Sequence, residues 1–215
     1  MRARAAACLT LGLALGARAL AGQTLVQPAL GIAGQFVRLR TELPGETDLW
    51  SGMTAGVQGS LTIGRLVQFD LGYLQGTLHS RSGSTGSRDF IEGRAGLGLA
   101  PLRWLALSLG PHVRSYVAPD GTERWVRWEA RARARGPIAL PGLTGDVEAW
   151  RVLSATIDLP GPFDRGQGGA AGLTARLPHA PGWWARLAYG IDRIAITGRQ
   201  ETVETVLLVV GVGRP

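Results

Sequence analysis

Leu49-Trp50-Ser51-Gly52-Met53-Thr54-Ala55-Gly56-Val57-Gln58-Gly59-Ser60-Leu61-Thr62-Ile63-Gly64 changes character at every residue. The odd positions run Leu49, Ser51, Met53, Ala55, Val57, Gly59, Leu61, Ile63 and are mostly apolar. The even positions run Trp50, Gly52, Thr54, Gly56, Gln58, Ser60, Thr62, Gly64 and are mostly small and polar. Side chains of an extended chain point alternately to opposite faces, so this stretch predicts a strand with two unlike faces. The same rhythm recurs down the chain. Val67, Phe69, Leu71 and Tyr73 oppose Gln68, Asp70 and Gly72, and Ile91, Ala95, Leu97 and Leu99 oppose Glu92, Arg94, Gly96 and Gly98. Val206, Leu208, Val210 and Val212 share one face near the end.

Proline and glycine clusters punctuate the runs, among them Pro44-Gly45, Gly64-Arg65, Pro101-Leu102-Arg103, Pro119-Asp120-Gly121 and Gly198-Arg199. They delimit ten strands, near 30–42, 49–63, 66–79, 89–99, 104–117, 124–136, 144–157, 169–177, 183–195 and 203–213. Eight strands is the alternative. Gly31 and Gly34 break the phase of the first segment, and Trp150-Arg151 disturbs 144–157. Odd-numbered connections such as 80–88 and 158–168 read as long, and even-numbered ones as short. In a membrane barrel that asymmetry puts both mature termini on the periplasmic side.

The first segment is expected to be a secretory leader. Arg2 and Arg4 precede the apolar run Ala5 to Ala17, and Ala19-Leu20-Ala21 offers small residues for cleavage after Ala21. Cleavage takes Arg2, Arg4 and Arg18 and no acid, which lowers the formal charge from +7 to +4. It also takes Cys8, the only cysteine, so neither a disulfide nor a thiolate metal site is expected. No later segment has the length and apolarity of a transmembrane helix. An exported chain of this kind is either a soluble β-protein or a barrel.

The composition of the polar face decides between them. A soluble β-protein turns long charged side chains to water. Here that face is largely Gly, Ser, Thr, Gln and Ala, which suits a narrow lumen where side chains converge. The apolar face then meets lipid. Trp50, Trp104, Trp125, Trp183 and Trp184 fall near strand starts, as in an aromatic girdle. A soluble periplasmic barrel enclosing an apolar ligand is the alternative, and the direction of Val57, Leu71, Leu97 and Val210 separates the two.

Taken together, these segments resemble the small outer-membrane β-barrel proteins of diderm bacteria, with Pro101-Leu102-Arg103-Trp104 similar to their periplasmic turns. The resemblance implies an all-β, up-and-down antiparallel transmembrane β-barrel spanning 22–215. It also implies outer-membrane lipid and the barrel-assembly machinery as partners. Such barrels often end on an aromatic residue, whereas this chain ends Val212-Gly213-Arg214-Pro215.

Charge is densest in Arg124-Trp125-Val126-Arg127-Trp128-Glu129-Ala130-Arg131-Ala132-Arg133-Ala134-Arg135. As a strand, Arg127, Glu129, Arg131, Arg133 and Arg135 share one face; as a helix, Arg124, Arg127, Arg131 and Arg135 do. A hairpin through Pro137 and Gly142 favours the strand, because it opposes Arg135 with Asp146 and Arg133 with Glu148. That cluster predicts an arginine-rich lumen wall, read as a charge network filling a narrow barrel or as a site for acidic ligands. Nucleic acid is not an expected partner, since no binding motif accompanies the arginines.

His112 is the candidate catalytic residue. A tight turn at 101–103 sets it across from Glu92, with Ser108 on the same face, the residue types of nucleophilic hydrolysis. No metal-ligand spacing, phosphate loop or nucleophile elbow is present, so no cofactor is expected. The reading is a non-enzymatic outer-membrane barrel acting structurally, through its loops or through its lumen. An outer-membrane hydrolase using His112 is the alternative.

Overall fold

The computed structural model describes residues 26–214 apart from 65, 83–85, 120, 159–161 and 178. The leader expected at 1–21 lies outside the described residues. Ten antiparallel strands follow in order: β1 (Val26–Leu43), β2 (Glu46–Ile63), β3 (Val67–Ser80), β4 (Ser87–Leu102), β5 (Leu105–Ala118), β6 (Gly121–Pro137), β7 (Leu143–Ile157), β8 (Phe163–Arg176), β9 (Trp183–Ile196) and β10 (Arg199–Gly213). Each strand pairs with its chain neighbours, and β1 pairs with β10, so the sheet closes. The count is ten and not eight. Closure leaves every strand paired on both sides, except at the far end, where β7 and β8 part beyond Arg151 and Gln167; a closed sheet is the condition for strands to cross lipid.

β8 starts well before the expected 169. Its glycines fit a strand because bulk arrives from elsewhere: a side chain at Gly166 would meet Val152, and one at Gly168 would meet the Trp150 ring and the Ile191 carbonyl. The tight turn between β1 and β2 is Pro44-Gly45 with Gly45 at φ 84°, an arrangement in which proline presets the first corner and only glycine takes the second without strain.

Connections at the two ends of the barrel do not differ as expected. At the end carrying the chain termini they span 64–66, 103–104, 138–142 and 177–182; at the far end, 44–45, 81–86, 119–120, 158–162 and 197–198. Residues 163–168, read as part of a long outer loop, continue β8 instead. Length therefore does not mark which end faces outward.

The apolar stripes point out. Ile32, Met53, Val57, Leu71, Leu97, Leu109, Leu173, Leu187 and Leu208 are all exposed. Val210, on the same face as Leu208, is half-buried. A soluble barrel with an apolar ligand would turn these residues inward, so the structure corrects that alternative. Yet the strands, at 14 to 18 residues, exceed the 9–11 that a tilted strand needs to cross a bilayer. The surplus lies at the far end, where the pattern reverses. On β1 the outward residues are Leu30, Ile32 and Phe36, then Arg38, Arg40 and Glu42. The inward ones are Ala29, Gly31, Ala33 and Gln35, then Val37 and Leu39. Outward aromatics Phe36, Tyr73, Trp128 and Tyr189 mark the boundary, beyond which lie Gln75, Arg124 and Arg193.

That reversal explains the irregular first segment: its apolar face changes sides between Phe36 and Val37. In β7 the cause is a bulge. Trp128 pairs with Ser154 and Glu129 with Val152, which leaves Leu153 unopposed and shifts the phase. The tryptophans divide accordingly. Trp104 and Trp183 are exposed near the terminal end, as a girdle requires, whereas Trp125 and Trp184 are buried inside the barrel.

Candidate functional site

Three layers fill the barrel along its axis. At the far end an apolar cluster closes it: Val37, Leu39, Leu78, Phe90, Tyr116, Trp125, Ile194, Ile196 and Val203, with Trp50, Ile157 and Phe163 packed against them. Below the cluster lies a layer of charge. A cavity of about 180 Å³ occupies the part nearer the termini.

The charged layer is built by β4, β5, β6, β9 and β10. Pairing places His112 beside both Arg94 and Arg127, and Arg114 beside Glu92. His112 lies between two carboxylates, with Nε2 2.6 Å from Glu92 and Nδ1 3.0 Å from Glu129. Arg127 is wholly buried; it donates to Asp192 at 2.7 Å and lies 3.2 Å from Glu129 and 2.7 Å from His112 Nδ1. Arg114 donates to Asp192 at 3.1 Å and to Glu92 at 3.2 Å. The indole of Trp150 donates to Asp192 at 3.0 Å. At the boundary with the apolar layer, the Tyr116 hydroxyl donates to Glu201 at 2.5 Å. A buried charge is tolerated only where partners replace its hydration, and each of these groups has at least two.

The expected face of β6 forms as read: Arg127, Glu129, Arg131, Arg133 and Arg135 alternate with outward Trp128, Ala130, Ala132 and Ala134. The expected register is also present, with Arg133 opposite Glu148 and Arg135 opposite Asp146. The ion pairs slide one step along it. Arg131 bonds Glu148 at 2.7 Å and also reaches Glu129, while Arg133 bonds Asp146 at 3.2 Å. Diagonal neighbours across a strand pair lie within reach of a long guanidinium, and β9 adds Arg186, which holds Asp146 at 2.7 Å.

Ser108 does not join His112. It lies four residues away on β5, roughly 13 Å along the strand, and faces Gly98 and Arg131 across the sheet. Both ring nitrogens of His112 are within hydrogen-bond range of carboxylates. A general base needs one nitrogen turned toward the hydroxyl it activates, so His112, Glu92 and Ser108 do not form a nucleophilic triad here. No group of three or more His, Cys, Asp or Glu able to hold a metal occurs among the described residues.

Sequence reading missed Arg114, Asp192, Glu201 and Trp150. The first three carried a usable signal, since each is a polar side chain on the lumen face of a strand. Trp150 carried none, because the bulge at Leu153 hides its phase.

Water reaches this interior from one side. Along β6, Arg135 is exposed, Arg133 is 32% exposed, Arg131 11% and Arg127 0%. Side-chain exposure along β6 thus falls from the terminal end to nothing at Arg127.

No protein-family model matches this chain, and no curated protein matches it in sequence. Solved structures do match in fold. An outer membrane channel from Pseudomonas putida F1 is similar over 89% of this chain and 97% of its own, at 11% identity and a TM-score of 0.50. The outer membrane protease OmpT from Escherichia coli is similar over 88% and 96%, at 7% identity and a TM-score of 0.56. One fold thus serves a channel and a protease, so function must come from the site.

Proposed function

We propose that this chain, which has the fold of outer-membrane β-barrels, is exported, inserted in the outer membrane and serves there as a non-enzymatic, non-conducting barrel with a vestibule open at one end. The leader ending near Ala21, the exposed apolar belt and the aromatic residues at its edges support the location. The resemblance to small outer-membrane barrels supports the barrel-assembly machinery as the inserting partner, with termini left in the periplasm.

The observation that carries the non-conducting reading is the double seal. Arg127 is buried among Asp192, His112 and Glu129, and the Phe90–Trp125 cluster stands beyond it. An ion crossing the barrel would have to break a satisfied charge layer and then pass an apolar one. Connections of two to six residues leave little chain for a binding loop, which favours the lumen over the loops as the working surface.

Planar-bilayer recording tests this. The purified barrel is expected to give no stepwise conductance at moderate voltage, whereas an Arg127→Ala/Trp125→Ala/Phe90→Ala variant, which opens both seals, gives ion steps. Steady conductance of the unaltered protein would overturn the reading.

A further inference from the structure

We propose that the vestibule is a binding site for a small amphiphilic carboxylate, one anionic head on a compact apolar body. The inference rests on the blind-lumen reading, since a through-channel would hold such a molecule only in transit.

Three observations carry it. The first is a cation with no direct partner. Arg94 lines the cavity on β4, where Glu148, Asp70 and Glu92 act on it at longer range, yet no ion pair within 4 Å and no hydrogen bond involves it among the described residues. Its neighbours Arg114, Arg131 and Arg133 all hold carboxylates. A guanidinium presents a planar fork of donors matched to a carboxylate, and this one has them to spare.

The second is the opposite wall. There β1, β9 and β10 present Ala29, Trp184 and Leu207, part of an apolar cluster that continues to Leu74 and Val209, together with Ala188. The cavity thus offers hydrocarbon surface next to charge, with Arg186 and Asp192 of β9 flanking the apolar residues. A cavity of this volume matches a single ring, since one of about 150 Å³ accommodates benzene.

The third is a pair of orphaned polar atoms. Gln35 and Trp184 are more than nine-tenths buried and line the cavity, and among the described residues neither the Gln35 Oε1 nor the Trp184 indole nitrogen has a hydrogen-bond partner. Buried polar groups left unpaired are costly; the Trp184 N–H is a donor that an anionic oxygen can accept from, whereas the Gln35 Oε1 is an acceptor and is met only by a donor.

Isothermal titration of the full-length barrel in nonionic detergent tests the site with benzoate, benzyl alcohol and inorganic phosphate. Benzoate is expected to bind, with the alcohol and phosphate each at least tenfold weaker, because neither satisfies both walls. Arg94→Gln should weaken benzoate at least tenfold and leave the alcohol unchanged. Gly72→Phe provides a variant that keeps every charge. A Cβ there would meet nothing nearer than the Gln58 side chain at 3.8 Å, and Gly72 lines the cavity, so the first atom of the new side chain is accommodated and the ring occupies cavity space. It should abolish benzoate binding. Equal binding of phosphate would reduce the site to a bare anion site and overturn the proposal, as would absence of benzoate binding or indifference to both substitutions. Conductance tests the sealed lumen separately, so one reading can fail without the other.

Discussion

Replacing Arg127 with methionine removes the most buried charge in the barrel while keeping a side chain of similar reach. The guanidinium lies 2.7 Å from Asp192 and 3.2 Å from Glu129, with no exposed surface. Deleting one partner of a buried ion pair typically costs about 3–5 kcal/mol, because the other charge stays desolvated. The lower end applies here. Asp192 keeps Arg114 and Trp150, and Glu129 keeps Arg131 and His112, so neither carboxylate is stranded. About 3 kcal/mol is roughly a hundredfold in the ratio of folded to unfolded protein. Urea unfolding of the barrel refolded into lipid vesicles reads this directly. The control is Arg38→Met. That pair, Arg38 with Glu204 at 3.5 Å, is 58% and 35% exposed, and pairs of this kind contribute at most about 1 kcal/mol. If the two variants lose the same stability, the buried layer is not holding the barrel together and the reasoning fails. Adding Asp192→Asn to Arg127→Met should then cost less than the two single losses combined, since the residues act on one another.

The outward belt makes a second prediction: Leu71→Arg, an exposed mid-belt position, should cost about 2–4 kcal/mol in the same assay, against almost nothing for Thr77→Arg in the polar band. Brominated lipid should quench single-tryptophan variants retaining Trp104 or Trp183 and spare one retaining Trp125, which is buried inside the far end. Gly56→Ala should destabilise by about 1–3 kcal/mol, because its side chain would press on the Tyr73 carbonyl, while Gly72→Ala, with open space before it, should be close to neutral by unfolding midpoint.

The alternation of residues 49–64 carried the strand assignment, because the period of two is a property of the extended backbone. The arginine face of β6 and its register with β7 were legible for the same reason, once Pro137 and Gly142 marked the turn. What alternation could not convey was the sense of each face. Ala33 and Val37 both point inward, yet one belongs to the small apolar cluster beside the cavity and the other to the bulky core that closes the far end. Which side of a strand is apolar depends on the medium outside, and no single residue states that. Asp192 and Arg114 come from strands far apart in sequence, so only barrel closure brings them within 3.1 Å. Ser108 failed as a partner of His112 for a related reason: sharing a face is not sharing a position along it.

The reversal of the alternation at Phe36, Tyr73, Trp128 and Tyr189 gives the molecule a waterline. Sinking the barrel by two residues would drag Arg38 and Arg193 toward hydrocarbon, and lifting it as far would strand aromatic rings in water. Each guanidinium costs little at the interface and about 2–4 kcal/mol at the midplane, so the penalty steepens with every ångström of descent. The hull therefore floats at a set draught. The same line of residues that confuses a reader of the sequence fixes how deep the protein rides.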